Sequence, residues 1–193
     1  MEYAYAVKTT QPNVPRNFEE AMKVSDANLW REAAEKEVKS LQHLNVYKLV
    51  PRSTVPPGQK VIGTKWVFKV KANQTYKAHL VAQGWNQVPG QDCGSTFAPV
   101  CRLQSVRMVL AIASEMDWEA RQLGVKTAFL YANIEEEVFV AEPPGFQTND
   151  NEKGLLVMKL GKSLCGLAQS PGNYFHTVPL IPFLCQSDLF LLI

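Results

Sequence analysis

The stretch VIGTKWVFKVKANQTYKAHLVAQG, residues 61–84, has the pattern of a β-hairpin. In its first half, side chains on one face of a strand alternate with those on the other. The first face carries Trp66, Phe68 and Val70. The second face carries Lys65, Val67, Lys69 and Lys71. ANQT then supplies the turn and YKAHLVAQG the returning strand, so the pattern predicts a hairpin that buries Trp66 and Phe68.

Two helical patterns flank this hairpin. Residues 26–45 repeat apolar side chains at helical spacing, with Asp26 as a candidate N-cap and Asn45 as a candidate stop. Their apolar positions are Trp30, Ala34, Val38, Leu41 and Leu44. Residues 102–117 repeat the pattern with Leu103, Val106, Leu110, Ala113 and Met116. Short strands are predicted in VYKLV, EVFVAEPPGF and LLVMKL, and no β-α-β alternation links these elements, so the predicted fold class is α+β.

Charge is distributed unevenly along the 193 residues, although the net charge is only +2. From Lys60 to Arg107 there are seven basic residues and one acidic residue, whereas Glu115 to Glu152 holds nine acidic residues and two basic ones. A basic block of this kind suits a surface that meets phosphates, and an acidic block suits one that holds cations. The alternative is that both are solvated faces of a mixed-charge protein.

The cysteines and the apolar segments bear on the compartment. Four cysteines show no C-x-x-C pairing, so free thiols in a reducing compartment are the default. The start of the chain has no basic-then-apolar signal pattern, and the apolar end is interrupted by Pro179, Pro182 and Asp188. We therefore expect a cytoplasmic or nuclear protein that is neither secreted nor anchored in a membrane.

Four blocks of the sequence carry a family resemblance. They are LWREAAEKEVKSLQHLNVYKLV, GTKWVFKVK with YKAHLVAQGWNQVPGQDCGSTFAPVCR, QLGVKTAFLYANIEEEVFVAEPPGF, and KLGKSLCGLAQSPGNYF. Their order and spacing resemble the copia-type reverse transcriptase of long-terminal-repeat retrotransposons, over roughly residues 18–175. The resemblance implies a partial right-hand polymerase fold, truncated after the fingers and the start of the palm. Residues 1–17 would then be an N-terminal extension and residues 176–193 a divergent, poorly packed apolar tail.

The resemblance also implies roles for individual residues. The hairpin would belong to the fingers, and its nucleic-acid-binding residues would be Lys65, Lys69 and Lys71. The nucleotide-binding positions would be Lys77, Val125, Phe129 and Gln169. Two simpler interpretations stay open: the lysines can keep an edge hairpin soluble, and Phe129 can be an ordinary core residue.

Several positions depart from the family pattern. The family binds Mg²⁺ through carboxylates, and Gly124 occupies the position of its metal-binding aspartate; Glu119 lies five residues earlier, and the carbonyl of Val125 alone would be a poor ligand. The chain also has no Asp-Asp pair for the second carboxylate motif. Further departures are His79, Cys165, Ala168 and Gly172, which replace arginine, tyrosine, lysine and arginine respectively. The expectation is that no catalytic carboxylate or metal site is intact and that Mg²⁺ is not retained.

Three functions remain open at this stage. The first is an active RNA-directed DNA polymerase, which needs both carboxylate motifs. The second is a catalytically inactive remnant that binds RNA or DNA weakly and without sequence preference. The third is the product of a decayed element, with no molecular function. We expect an inactive reverse transcriptase fragment, and the sequence does not indicate an oligomeric state.

Overall fold

A computed structural model of the chain describes residues 14–88, 90, 92–94, 96–120, 125–148 and 155–177, and the backbone of 121–123, 184–185 and 188–192. The helices are α1 (Phe18–Ala21), α2 (Ala27–His43), α3 (Leu103–Glu115) and α4 (Ser170–Thr177), with short 3₁₀ helices at Arg52–Thr54, Gly84–Asn86 and Ala128–Tyr131. The strands are β1 (Tyr47–Pro51), β2 (Val61–Ile62), β3 (Thr64–Val70), β4 (Tyr76–Ala82), β5 (Glu119–Leu123), β6 (Phe139–Val140), β7 (Leu156–Leu160), β8 (Leu184–Cys185) and β9 (Asp188–Leu192).

The predicted hairpin is formed by β3 and β4, which pair antiparallel along their whole length. Trp66 and Phe68 are buried on one face, while Lys65, Val67 and Lys69 are exposed on the other. This confirms the hairpin and its two faces. The alternation decides which face of the strand is buried, because shifting the strand by one residue would move every lysine into the core.

Helix α2 covers the apolar face of the hairpin. The Trp30 ring meets those of Phe68 and Tyr76 edge to face, with centroids 5.2 and 4.5 Å apart. Asn45 ends the helix in a left-handed conformation (φ 52°), as the sequence indicates. The aromatic contacts tie the helix to both strands and make it the main cover of the hairpin.

Asp26 precedes α2 as expected, but its side chain does not cap the helix. Its carboxylate instead accepts a hydrogen bond from the Tyr76 hydroxyl at 2.7 Å. That bond raises the pKa of Tyr76, since the carboxylate stabilises the protonated phenol. Asp26 is therefore the N-cap residue of α2, as predicted, but it makes no capping hydrogen bond because β4 packs close enough to engage its carboxylate.

A second, four-stranded sheet has the order β1-β7-β6-β2. β7 is antiparallel to β1 and β6, and β2 is parallel to β6. The strands predicted in VYKLV, EVFVAEPPGF and LLVMKL are present here as β1, β6 and β7. With its helices and its separate hairpin, the chain has a mixed helix and sheet architecture.

Helix α3 forms where the pattern predicts it, but its apolar residues are mostly exposed. Of the five predicted apolar positions only Ala113 is buried, and Leu103 and Met116 face solvent. The period of the sequence predicts which residues share a helix face; what covers that face depends on the rest of the fold.

Beyond α3, β5 runs parallel to β9, which lies in the apolar tail. The side chains of residues 178–193 and most of residues 1–17 lie outside the described residues, so the expected domain boundaries and the poor packing of the tail stay predictions. Among the described helices, none has the length and apolar character that a membrane span needs.

Candidate nucleic-acid interface

The outward face of the hairpin concentrates positive charge. Lys65 and Lys69 project from β3, and the register places Lys77 of β4 directly opposite Lys69. Lys71 follows at the turn, where its amide donates to the Thr75 carbonyl. Two ammonium groups on directly opposed residues repel each other and destabilise the hairpin. In the part of the chain that the structure describes, no acidic side chain pairs with any of these four lysines.

His79 lies on the same face, between Lys77 and Val81. Its Nδ1 is 3.3 Å from Oε1 of Glu37 on α2. Arginine at this position would add a permanently charged guanidinium to the basic face, which histidine does not supply. The basic face therefore depends on lysines.

Trp85 borders this face, and the sequence patterns did not predict it as a site residue. It belongs to the 3₁₀ helix after β4, and its side chain is 65% exposed. The Lys65 ammonium group lies over the indole, 4.8 Å from the ring centroid. A cation over an aromatic face is held by the ring quadrupole. An exposed aromatic ring and the basic strand thus form one continuous surface.

The turn that carries Trp85 is held by close backbone contacts. Gly84 abuts Gly166, and a Cβ added to Gly84 would overlap the Gly166 carbonyl oxygen. Gly166 (φ +92°) in turn abuts the Ala82 carbonyl, and the Ala82 amide donates to the Cys165 carbonyl at 2.8 Å. Only glycine permits such an approach without displacement of the backbone. The segment that contains Cys165 and Gly166 therefore packs directly against the end of the hairpin.

Two glutamines secure the far side of this turn. Gln87 Nε2 donates to Gln169 Oε1 at 3.0 Å, and Gln87 Oε1 accepts from the Ala168 amide at 2.9 Å. The Asp92 carboxylate accepts from the Val88 amide at 2.8 Å. Both glutamine side chains are buried, and buried amides without partners would cost about 1–3 kcal/mol each. The network therefore joins the segment around Gln87 firmly to the start of α4.

Gly166→Ala is expected to destabilise the protein by about 2 kcal/mol, from a left-handed backbone and the overlap with the Ala82 carbonyl. Gly58→Ala is the matched control: Gly58 has a similar φ of +89°, but an added Cβ would meet no atom within 4 Å. Urea unfolding of both variants measures the difference. Equal losses for the two would contradict a role for the close approach at Gly166.

The predicted nucleotide-binding residues belong to different elements of the fold. Gln169 is fully buried and engaged by Gln87, and it immediately precedes α4. Phe129 is half-buried on a 3₁₀ helix that packs against α4, where its ring meets Tyr174 at 5.9 Å. Lys77 belongs to the hairpin, and Val125 is exposed. The structure thus brings Phe129 and Gln169 to one helix and leaves Lys77 on the basic face.

Cys165, at which the family resemblance implies tyrosine, lies beside this region. Burial raises the pKa of the Cys165 thiol, because the charged thiolate is poorly solvated there. The thiol is therefore protonated at neutral pH and behaves as a small apolar side chain.

Gly124, at which the family resemblance implies a metal-binding aspartate, lies outside the described residues. In the sequence it comes directly after β5, and Glu119 is the first residue of that strand. The backbone register places Asp188 beside Glu119, at the same far end. Among the described residues, no group of three or more Asp, Glu, His or Cys side chains could hold one metal ion. These residues do not fit the Mg²⁺ site that the family resemblance implies.

Comparison with known proteins agrees with the motif blocks. The sequence model of the family described as reverse transcriptase (RNA-dependent DNA polymerase) matches residues 44–184. The chain belongs to this reverse transcriptase family. No solved structure matches the chain.

Its relatives are transposon polyproteins. The chain is 35% identical over 203 residues to the retrovirus-related Pol polyprotein from transposon RE2 of Arabidopsis thaliana, and 35% identical over 204 residues to that from transposon RE1. Each alignment covers 99% of the chain. It is 37% identical over 166 residues, or 83% of its length, to the Pol polyprotein from transposon TNT 1-94 of Nicotiana tabacum. These are copia-type elements, which confirms the resemblance. The chain spans only 12–14% of the length of these Pol polyproteins.

Proposed function

We propose that this reverse transcriptase fragment contains the fingers and the start of the palm and retains a phosphate-binding surface without polymerase activity. The observation that carries the proposal is the basic face of the hairpin, defined by Lys65, Lys69, Lys71 and Lys77. In the described part of the chain these lysines have no acidic partners, and one pair is directly opposed. Phosphate anions between them would relieve that repulsion.

The chemistry of this face favours phosphates over bases. Ammonium groups act as point charges that contact phosphate oxygens and carry no sequence information by themselves. We therefore propose binding of RNA or DNA without sequence preference, with a dissociation constant of roughly 10⁻⁴ to 10⁻⁶ M at physiological salt. The acidic block that begins at Glu115 opposes this binding, which keeps it weak.

The proposal of inactivity rests on residue identities. Glycine at position 124 has no side chain to offer a metal, Glu119 lies at the other end of β5, and the 193 residues contain no Asp-Asp pair. Two-metal phosphoryl transfer requires several carboxylates that converge on one point. The proposed molecule therefore lacks the ligands for the chemistry and keeps part of the surface that meets the nucleic acid.

Replacing Lys65, Lys69 and Lys77 together by alanine is expected to weaken binding of an RNA–DNA hybrid. Each lost phosphate contact should lower the slope of log K against log salt by roughly one unit, and the three together by about 2–3. Fluorescence anisotropy with a labelled hybrid, at two or more salt concentrations, measures that slope.

The matched control is the triple alanine variant at Lys36, Lys39 and Lys48, which are exposed lysines on α2 and β1. It removes the same charge from other surfaces, so its salt slope should stay close to that of the unaltered protein. If both triple variants lose affinity equally, net charge explains the binding and the hairpin face does not. If the unaltered protein fails to bind at low salt, a decayed product without molecular function is the better interpretation.

A further inference from the structure

Trp85 is exposed in a way that the other described tryptophans near the hairpin are not. Trp30 and Trp66 are 2% and 3% exposed, whereas Trp85 is 65% exposed. Holding a large apolar ring in water forgoes the burial free energy that the same ring would gain in the core. Single exposed aromatics are common, so exposure by itself does not indicate a ligand.

The second observation is that the backbone presenting this exposed ring is tightly held. Gly84, the residue before Trp85, abuts Gly166. The side chain of Gln87, two residues after Trp85, is hydrogen-bonded to Gln169 and Ala168. The Asn86 and Gln87 amides also donate to the carbonyls of Gln83 and Gly84 at 3.0 Å. A rigidly presented ring binds at a lower entropic cost than one on a mobile loop.

The third observation is the position of the ring beside the basic face. Lys65 lies over the indole, and 65% of Trp85 remains exposed to solvent beside it. Lys69 lies four residues further along β3, about 13 Å from Lys65 along the strand. Phosphate-binding ammonium groups next to an open aromatic face are the combination that single-stranded nucleic acids require.

We infer that Trp85 is a stacking platform for an unpaired base, next to lysines that contact the phosphates of the same strand. The inference rests on the proposed phosphate-binding function of the hairpin and adds the form of nucleic acid that the surface prefers. An internal base of a duplex has both faces covered by its neighbours and cannot stack on the indole. The surface should therefore discriminate in favour of single strands, which lysines alone would not achieve.

The experiment compares Trp85→Ala with the unaltered protein on a labelled single-stranded 12-nucleotide RNA and on a 12-base-pair duplex. Stacking on an aromatic residue predicts that single-strand binding weakens by roughly 5- to 150-fold. Duplex binding should change less than about twofold. The salt slope for the single strand should be unchanged, because no charge is removed. Trp85→Phe, which keeps an aromatic face, should retain most of the single-strand affinity.

Trp118→Ala is the matched control, because Trp118 is also exposed, at 46%, and lies beyond α3. It should bind both nucleic acids like the unaltered protein. Single-strand binding that survives Trp85→Ala would overturn the stacking platform. A triple alanine variant at Lys65, Lys69 and Lys77 with the salt slope of the unaltered protein would separately overturn the phosphate-binding face. If Trp85→Ala lost single-strand and duplex affinity equally, the stacking platform would also be overturned, since equal losses would indicate a disturbed lysine face. Absence of all binding by the unaltered protein would overturn both proposals.

Discussion

Purified protein incorporates no nucleotide in a primer-extension assay with an RNA template and Mg²⁺ or Mn²⁺: this is the expected result with the largest effect. The physical reason is the missing ligand set. Polymerase chemistry needs two metal ions that activate the attacking hydroxyl and stabilise the leaving oxygen. Mg²⁺ in turn prefers several carboxylate oxygens in near-octahedral geometry. Gly124 provides none, and the chain has no Asp-Asp pair to provide the rest.

The variant Gly124→Asp sharpens this test. It restores one carboxylate at the family position, yet activity should remain absent because one carboxylate cannot hold two metal ions. Both proteins are assayed beside a no-enzyme control and an active reverse transcriptase on the same template. Template-dependent incorporation by the unaltered protein would contradict the proposed inactivity. Incorporation by the variant alone would show that Gly124 is the single decisive defect.

Trp30→Ala is expected to reduce the free energy of unfolding by about 3–5 kcal/mol, the range for truncating a buried large aromatic side chain. Trp30 is 2% exposed and contacts both strands of the hairpin through Phe68 and Tyr76. Its removal leaves a cavity between α2 and the hairpin that neither rigid element can fill. A loss of this size is a large share of the 5–15 kcal/mol that stabilises a typical domain.

Urea unfolding followed by far-ultraviolet circular dichroism measures this loss. Trp118→Ala serves as the control, because it deletes the same side chain at a half-exposed site and should change the stability by less than about 1 kcal/mol. A Trp30→Ala variant as stable as this control would contradict the assignment of Trp30 to the core. If Trp30→Ala does not fold at all, the more conservative Trp30→Phe should still unfold at lower urea than the unaltered protein.

Local sequence patterns predicted much of the fold. The alternation from Thr64 to Val70 specified a strand with a buried and a basic face, because side chains of period two leave no other arrangement for the lysines. Asn45 ended α2 as predicted, since it adopts the left-handed backbone that most other residues avoid. These features depend on neighbouring residues only, and a single sequence contains all of that information.

Long-range contacts were predicted less well. Asp26 was expected to cap α2, but Tyr76, fifty residues later, takes its carboxylate. The apolar face of α3 was predicted as a pattern, yet only Ala113 among its five expected positions is buried. In both cases the local pattern was correct, and the partner was decided by elements that are distant along the chain.

The candidate site divides in the same way. By itself, the sequence determined the basic face of the hairpin, the family of the chain and the glycine at position 124, because strand alternation and motif spacing are properties of neighbouring residues. Tertiary structure alone decided that Trp85 borders that face and that Gln87 holds Gln169. Both depend on Gly84 and Gly166 meeting across some eighty residues, at a distance that only two residues without a Cβ allow.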